Sequence, residues 1–173
     1  MSCKAICWGE GYIMDKVAQK NKILIVEDEP TIQQVLCFFF KMHSFEVTAV
    51  SGGLEAIQII PEFKPQLIIL DLVMHPVSGW DVLEWLDAHH LTGQIPVLVV
   101  SALVNLTEQL HGFEQGAVEY ITKPTQPSVI VERARVLLTM STEQRTMLQH
   151  QRIDEQRQIL KHLYAARSDK FTF

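Results

Sequence analysis

Ile23-Leu24-Ile25-Val26-Glu27-Asp28-Glu29-Pro30 sets four branched apolar residues directly before three carboxylates and a proline. A run so short and so uniformly apolar reads as a strand buried on both faces. The acidic residues and the proline suit the first turn of a helix, where negative charge is favourable and proline's missing N–H costs nothing. The stretch is a buried strand leading through an acidic loop into a helix.

The same alternation repeats along the chain. Apolar runs at residues 45–50, 67–70, 97–100 and 118–121 predict four more strands. Between and after them, helical patterns are predicted over residues 31–42, 54–60, 80–89 and 107–115, and from Pro127 to about residue 140. Gly52-Gly53 precede the second helix and Pro61 and Pro65 are expected to close it; Gly116 is a natural stop for the fourth. Five strand–helix units with nearly continuous apolar strands imply a parallel sheet covered by helices on both faces, a doubly wound α/β fold. Sheets of this kind hold their ligand sites beyond the carboxyl ends of the strands.

Composition bounds what the chain can do. Its 173 residues are 47% hydrophobic and 20% charged with formal net charge −5, enough for one buried core and unlike a disordered or fibrous chain. The acidic balance argues against a nucleic-acid footprint, and no apolar run approaches the roughly 20 residues that span a bilayer. Charge is uneven: residues 1–140 carry a net −7 and residues 141–173 a net +2. Cys3, Cys7 and Cys37 cannot all pair within one molecule and no signal peptide precedes them, which favours a reducing cytoplasm. Cys3 and Cys7 lack the further ligands that a metal site needs. Residues 1–21 show no period and read as a flexible leader; residues 22–140 form the expected domain, with 141–173 a helical extension or linker.

Groups far apart in sequence fall at the predicted strand ends: Glu27 and Asp28 after the first, Asp71 after the third, Ser101 closing the fourth, and Lys123 just past the fifth. Three converging carboxylates repel unless a hard divalent cation joins them, and Mg²⁺, or Mn²⁺ in its place, prefers such oxygen donors. A cation, a hydroxyl and an ammonium around a central carboxylate suit phosphoryl transfer, whose catalysis is chiefly positioning and charge neutralisation, with Asp71 as the nucleophile.

Four motifs in this order, Ile23 to Pro30, Leu67-Ile68-Ile69-Leu70-Asp71-Leu72-Val73-Met74, Val99-Val100-Ser101-Ala102 and Tyr120-Ile121-Thr122-Lys123-Pro124, resemble the receiver domains of bacterial two-component response regulators. The resemblance implies a flavodoxin-like sheet of order 2-1-3-4-5. It implies that Asp71 accepts a phosphoryl group from a phosphohistidine on a sensor histidine kinase or histidine phosphotransfer protein. Glu27, Asp28, Asp71 and the main-chain carbonyl of Val73 match the metal site, Glu27 acting through water. Lys123 matches the phosphate-binding lysine, Ser101 the hydroxyl that turns to the phosphoryl group, and Tyr120 the aromatic ring that then moves inward. A downstream protein would read the surface of residues 106–138. Val73 and Leu103 match positions that influence how water reaches the acyl phosphate, and since both are apolar, dephosphorylation is expected to be slow. The chain would then be no enzyme beyond catalysing its own phosphorylation and slow dephosphorylation.

Two departures stand out. Glu27 replaces the usual aspartate, and His75 intervenes between Met74 and Pro76, which suggests a reshaped loop. The tail holds an imperfect stripe, with Ile153, Leu160 and Leu163 a short seam interrupted by Gln156; it is expected to continue the last helix, as a linker or an arm for a homodimer. Its 33 residues are too few for the usual DNA-binding output domain. The competing reading is a receiver-like protein interaction module that never takes phosphate. A phosphohydrolase would need a second aspartate at the position of Val73, and a flavodoxin a phosphate-cradling loop where Glu27 and Asp28 stand.

Overall fold

The computed structural model describes residues 20–168. Five strands, β1 (Lys22–Val26), β2 (Glu46–Val50), β3 (Leu67–Leu70), β4 (Val97–Ser101) and β5 (Ala117–Thr122), form one wholly parallel sheet in the order β2-β1-β3-β4-β5. The helices are α1 (Pro30–Met42), α2 (Gly53–Phe63), α3 (Gly79–Ala88), α4 (Leu106–Glu114), α5 (Pro127–Thr139) and α6 (Thr142–Ser168). The expected flavodoxin-like architecture is the one observed. Of the expected leader, only Lys20 and Asn21 belong to the described residues.

Strand periodicity divides the core in two. Leu24, Val26, Ile68, Leu70, Val97 and Val99 point to one face, where α2, α3 and α4 cover them. Their neighbours Ile23, Ile25, Leu67, Ile69, Leu98 and Val100 point to the other, under α1 and α5. Successive side chains of a strand alternate faces, so strand segments buried on both sides, such as Ile23–Val26, Leu67–Leu70 and Val97–Val100, are apolar at every position. The quoted Ile23-Leu24-Ile25-Val26 run is fully buried for that reason.

Helix ends follow local chemistry. Pro30 and Pro127 occupy the first positions of α1 and α5. Ser78 and Asp81 form a reciprocal capping box at the start of α3, and the Asn105 side chain accepts from the Thr107 amide to start α4.

Two expectations are corrected. Pro61 does not end the second helix: α2 runs two residues further to Phe63 and closes at Lys64 in a left-handed conformation, φ 52°. Pro61 is exposed, so its ring meets solvent, while Ile60 and Phe63 on either side pack into the core and hold the turn together. The tail does not continue the last helix either. Met140 is extended, Ser141 starts a new capping box with Gln144, and α6 folds back over α4 and β5. The seam residue Ile153 thereby packs against the chain's own core.

Candidate functional site

Parallel register brings the strand ends level. Val26 pairs with both Val50 and Leu70, Leu70 with Val99, and Val99 with Tyr120. The ladder carries on past the strands: the Asp71 amide donates to the Val26 carbonyl at 3.0 Å and the Lys123 amide to the Ser101 carbonyl at 2.8 Å. Glu27, Asp28, Asp71 and Lys123 therefore emerge along one rim, with Ser101 at the end of β4 beside it.

The Lys123 ammonium donates to both oxygens of Glu27, at 3.0 and 2.7 Å, and to Asp71 Oδ2 at 2.6 Å. The Val73 amide donates to the other Asp71 oxygen, Oδ1, at 3.0 Å. Glu27 and Asp71 are only 3% and 6% exposed, whereas Asp28 stands open to solvent. One carboxylate oxygen from each of Glu27, Asp28 and Asp71 lies within 4.8 Å of the others.

Burial pushes the Glu27 carboxyl above its ordinary 4.5, against the opposing pull of the Lys123 ammonium, and the nearby Asp71 charge adds to the rise. Burial alone would lower Lys123, but its hydrogen bonds to Asp71 and Glu27 outweigh that and hold it above 10.5. Three carboxylates thus face one ammonium, and the surplus negative charge is what a divalent cation balances. The all-oxygen donor set and its spacing fit a hard cation.

The β3–α3 loop is kept against the site by Gly79. A Cβ at this position would collide with the Asp71 carbonyl oxygen and come within 2.7 Å of Leu72 Cα. Met74 turns inward and His75 outward, so the extra histidine is accommodated in solvent.

Ser101 and Tyr120 are close to the rim but not in it. The fully buried Ser101 hydroxyl accepts from the Leu103 amide at 3.4 Å rather than meeting Asp71 or Lys123. The half-buried Tyr120 ring lies against α4, where a Cβ on Gly112 would approach it to 3.3 Å, and its hydroxyl donates to the Leu103 carbonyl at 3.0 Å. Burial pushes the phenol up to about 12, with the Ser101 hydroxyl acting in the opposite sense. Leu103 packs half-buried beside the core, and the Val73 side chain is 45% exposed next to Asp71.

Sequence reading missed a cleft of about 530 Å³ between α1 and α5 that reaches the site, with Ile32, Val35, Ala102, Lys123, Pro124 and Pro127 among its lining. Val35, which lines it, is 40% exposed, and Phe38, also on α1, is 61% exposed. The available signal was an α1 with more apolar residues than one buried stripe requires.

Residues 23–135 match the family described as the response regulator receiver domain. The chain is 37% identical over 124 residues to the transcriptional regulatory protein SrrA of Staphylococcus aureus, covering 70% of this chain and 50% of that one. It is 32% identical over 117 residues to the DNA-binding dual master transcriptional regulator RpaA of Synechocystis, covering 68% of this chain and 48% of the other. It spans about half the length of these relatives. Among solved structures, the receiver domain of the Francisella response regulator 1452 superposes with TM-score 0.65 at 25% identity, covering 69% of this chain and 97% of that one. The BeF3-activated receiver domain of Klebsiella pneumoniae RstA gives 0.64 at 28%, covering 69% and 100%.

Proposed function

The chain belongs to the response regulator receiver domain family, and from that premise we propose that it accepts a phosphoryl group on Asp71 from a phosphohistidine of a sensor kinase or phosphotransfer protein. The observation that carries this reading is the triad of Asp71, Glu27 and Lys123 locked together beneath an open Asp28.

An Asp71 carboxylate oxygen attacks phosphorus, the P–N bond to the donor imidazole breaks, and the product is an acyl phosphate on Asp71 with the donor histidine neutral. The Val73 amide on Oδ1 and the Lys123 ammonium on Oδ2 fix the carboxylate's orientation, so little reorganisation precedes attack. Lys123 then balances phosphoryl charge that water would otherwise have to solvate. Mg²⁺, or Mn²⁺, held by Glu27, Asp28, Asp71 and the Val73 carbonyl, supplies further charge neutralisation when bound. Glu27 is buried against Lys123, so its part in holding the cation is indirect, through water.

Receivers are signalling modules, and the only chemistry proposed for this one is its own phosphorylation and slow dephosphorylation. The cleft between α1 and α5, reaching Lys123 and lined by the exposed Val35, gives a donor protein an apolar place to dock. Residues 22–140 are the proposed functional unit, working in the reducing cytoplasm. Among the described residues no helix is long and apolar enough to cross a membrane. The named relatives are transcriptional regulators, one called DNA-binding; for this chain the proposed output is a protein contact on the surface of residues 106–138. The net charge of −5 favours a protein over a nucleic acid as the direct target.

The test is labelling by a small phosphodonor such as acetyl phosphate. Incorporation should require Mg²⁺ and vanish in Asp71→Asn. No labelling of the parent chain would leave the phosphate-independent interaction module as the correct reading, and equal labelling of Asp71→Asn would overturn Asp71 as the acceptor.

A further inference from the structure

The surface assigned to signalling output is not bare: α6 lies across it. The helix runs antiparallel to α4. Arg145 donates to the Gly93 and Gln94 carbonyls, both at 3.4 Å, and Gln149 to the Phe113 carbonyl at 2.6 Å near the end of α4. Gln156 then reaches Gln109 at 3.4 Å, and Leu160 and Leu163 arrive beside Asn105 and Leu106 at its start. Arg152 pairs with Glu119 of β5 at 3.5 Å, while Arg157 pairs with Glu114 of α4 at 2.7 Å. The helix is therefore fastened to both elements that frame Tyr120, and Ile153 packs against the core cluster to which the tyrosine ring belongs.

Two observations give this placement a meaning. The first is continuity with the rim. Glu119, held by Arg152 through one oxygen, accepts the Tyr120 amide through the other at 3.3 Å. The Tyr120 hydroxyl is tied to the Leu103 carbonyl, and the Leu103 amide to Ser101, the hydroxyl at the end of β4. With α6 docked, the ring is tucked under the β4–α4 loop, the position it is expected to take when Asp71 carries phosphate. The second is the character of the docked stripe. Arg145, Gln149, Arg152 and Gln156 recur at helical spacing with Leu148, Ile153, Leu160 and Leu163 as apolar companions. Among the described residues four buried side-chain polar atoms find no partner in the chain, and three belong to this stripe: Arg145 Nε, Arg152 Nε and Gln156 Oε1. A docked face made half of Arg and Gln exchanges its partners for water at small net cost, as a reversible contact must.

We propose that α6 is an intramolecular strap over the switch face that favours the tucked Tyr120, so that docking of α6 and phosphorylation of Asp71 reinforce one another. The inference rests on the phosphoacceptor reading. Coupling between two sites is reciprocal: if α6 stabilises the phosphate-ready arrangement, a phosphoryl group must tighten α6 by the same factor. The downstream target then meets a composite surface, α5 together with the outer side of α6, and not a bare α4.

The experiment uses the full chain with Mg²⁺ and beryllofluoride as the phosphoryl mimic. Gln149→Ala/Arg152→Ala/Arg157→Ala, which removes the Gln149 and Arg157 ties to α4 and the Arg152 tie to β5, should bind beryllofluoride about fivefold or more weakly than the parent, a factor within the usual range for coupled sites. In the parent, saturating beryllofluoride should slow hydrogen exchange of the α6 amides; this readout needs no variant and stands even if the triple substitution destabilises the fold. Equal or tighter binding by the variant, or α6 exchange unchanged or faster on loading, would overturn the strap while leaving the phosphoacceptor reading intact. No binding by the parent would overturn both.

Discussion

Glu27 is the residue through which this rim departs from its family, and the extra methylene has a use. It lets the carboxylate meet Lys123 with both oxygens while staying within reach of Asp28 and Asp71. The lysine is thus shared between two acids before any phosphate arrives. Tyr120 offers a cleaner residue-level test, because burial pushes its phenol up to about 12. In the unfolded chain the phenol ionises near its ordinary 10.0, so the folded state holds the proton over the interval between. Stability from this group is complete below pH 10 and is lost as pH climbs toward 12. An alkaline absorbance titration should show one of the three tyrosines ionising late, and Tyr120→Phe should remove that step. If all three ionise together near their ordinary value, the tucked ring is wrong.

At the scale of elements, the loop between β3 and α3 depends on a close approach that only a residue without Cβ permits. Alanine at position 79 would place a methyl against the Asp71 carbonyl and 2.7 Å from Leu72 Cα, both backbone atoms with no rotamer to yield. Gly79→Ala should therefore cost about 1–3 kcal/mol of folding stability, the usual range for overpacking, read as a lower urea midpoint. It should also slow labelling, since the loop that moves carries the Val73 amide bonded to Asp71. A midpoint and labelling rate like the parent's would mean the loop yields without disturbing the rim. The reason for a glycine at position 79 is tertiary and not legible in the sequence. Element positions were legible because a doubly covered sheet forces uninterrupted apolar strands. The errors came where local rules competed with packing. Pro61 carries a stop signal, yet it sits on an exposed edge between two anchored residues. The start of α6 was readable in Ser141-Thr142-Glu143-Gln144, a capping box. Its docking was not: the docked stripe is half Arg and Gln, and hydrophobic periodicity detects only apolar faces.

Across the whole molecule, the rim was legible because parallel register turns sequence-distant strand ends into neighbours, so residue type at Glu27, Asp28, Asp71 and Lys123 sufficed. What joins the rim to the outer surface was less so. Ser101, Leu103 and Tyr120 are linked by a buried hydroxyl, a main-chain amide and a carbonyl, and main-chain groups leave no mark in a sequence. The same linkage bears on how long a signal lasts. Hydrolysis of an acyl phosphate needs a water held in line with the P–O bond, and on the proposed function the side chains expected to hold one are those two residues beyond Asp71 and Ser101. Val73 is tied to Asp71 through its amide and projects a bare isopropyl group 45% exposed beside the carboxylate; Leu103 is packed half-buried at the core. Neither side chain offers a donor or acceptor, so on that reading water reaches the site without being oriented. A purified, radiolabelled chain free of phosphatase should keep its label for hours. Val73→Asn, which adds an amide at the same reach, should hasten loss about tenfold, equivalent to about 1.4 kcal/mol off the barrier. A parent half-life of seconds, or a Val73→Asn rate equal to the parent's, would mean that water is oriented by some group other than these two side chains.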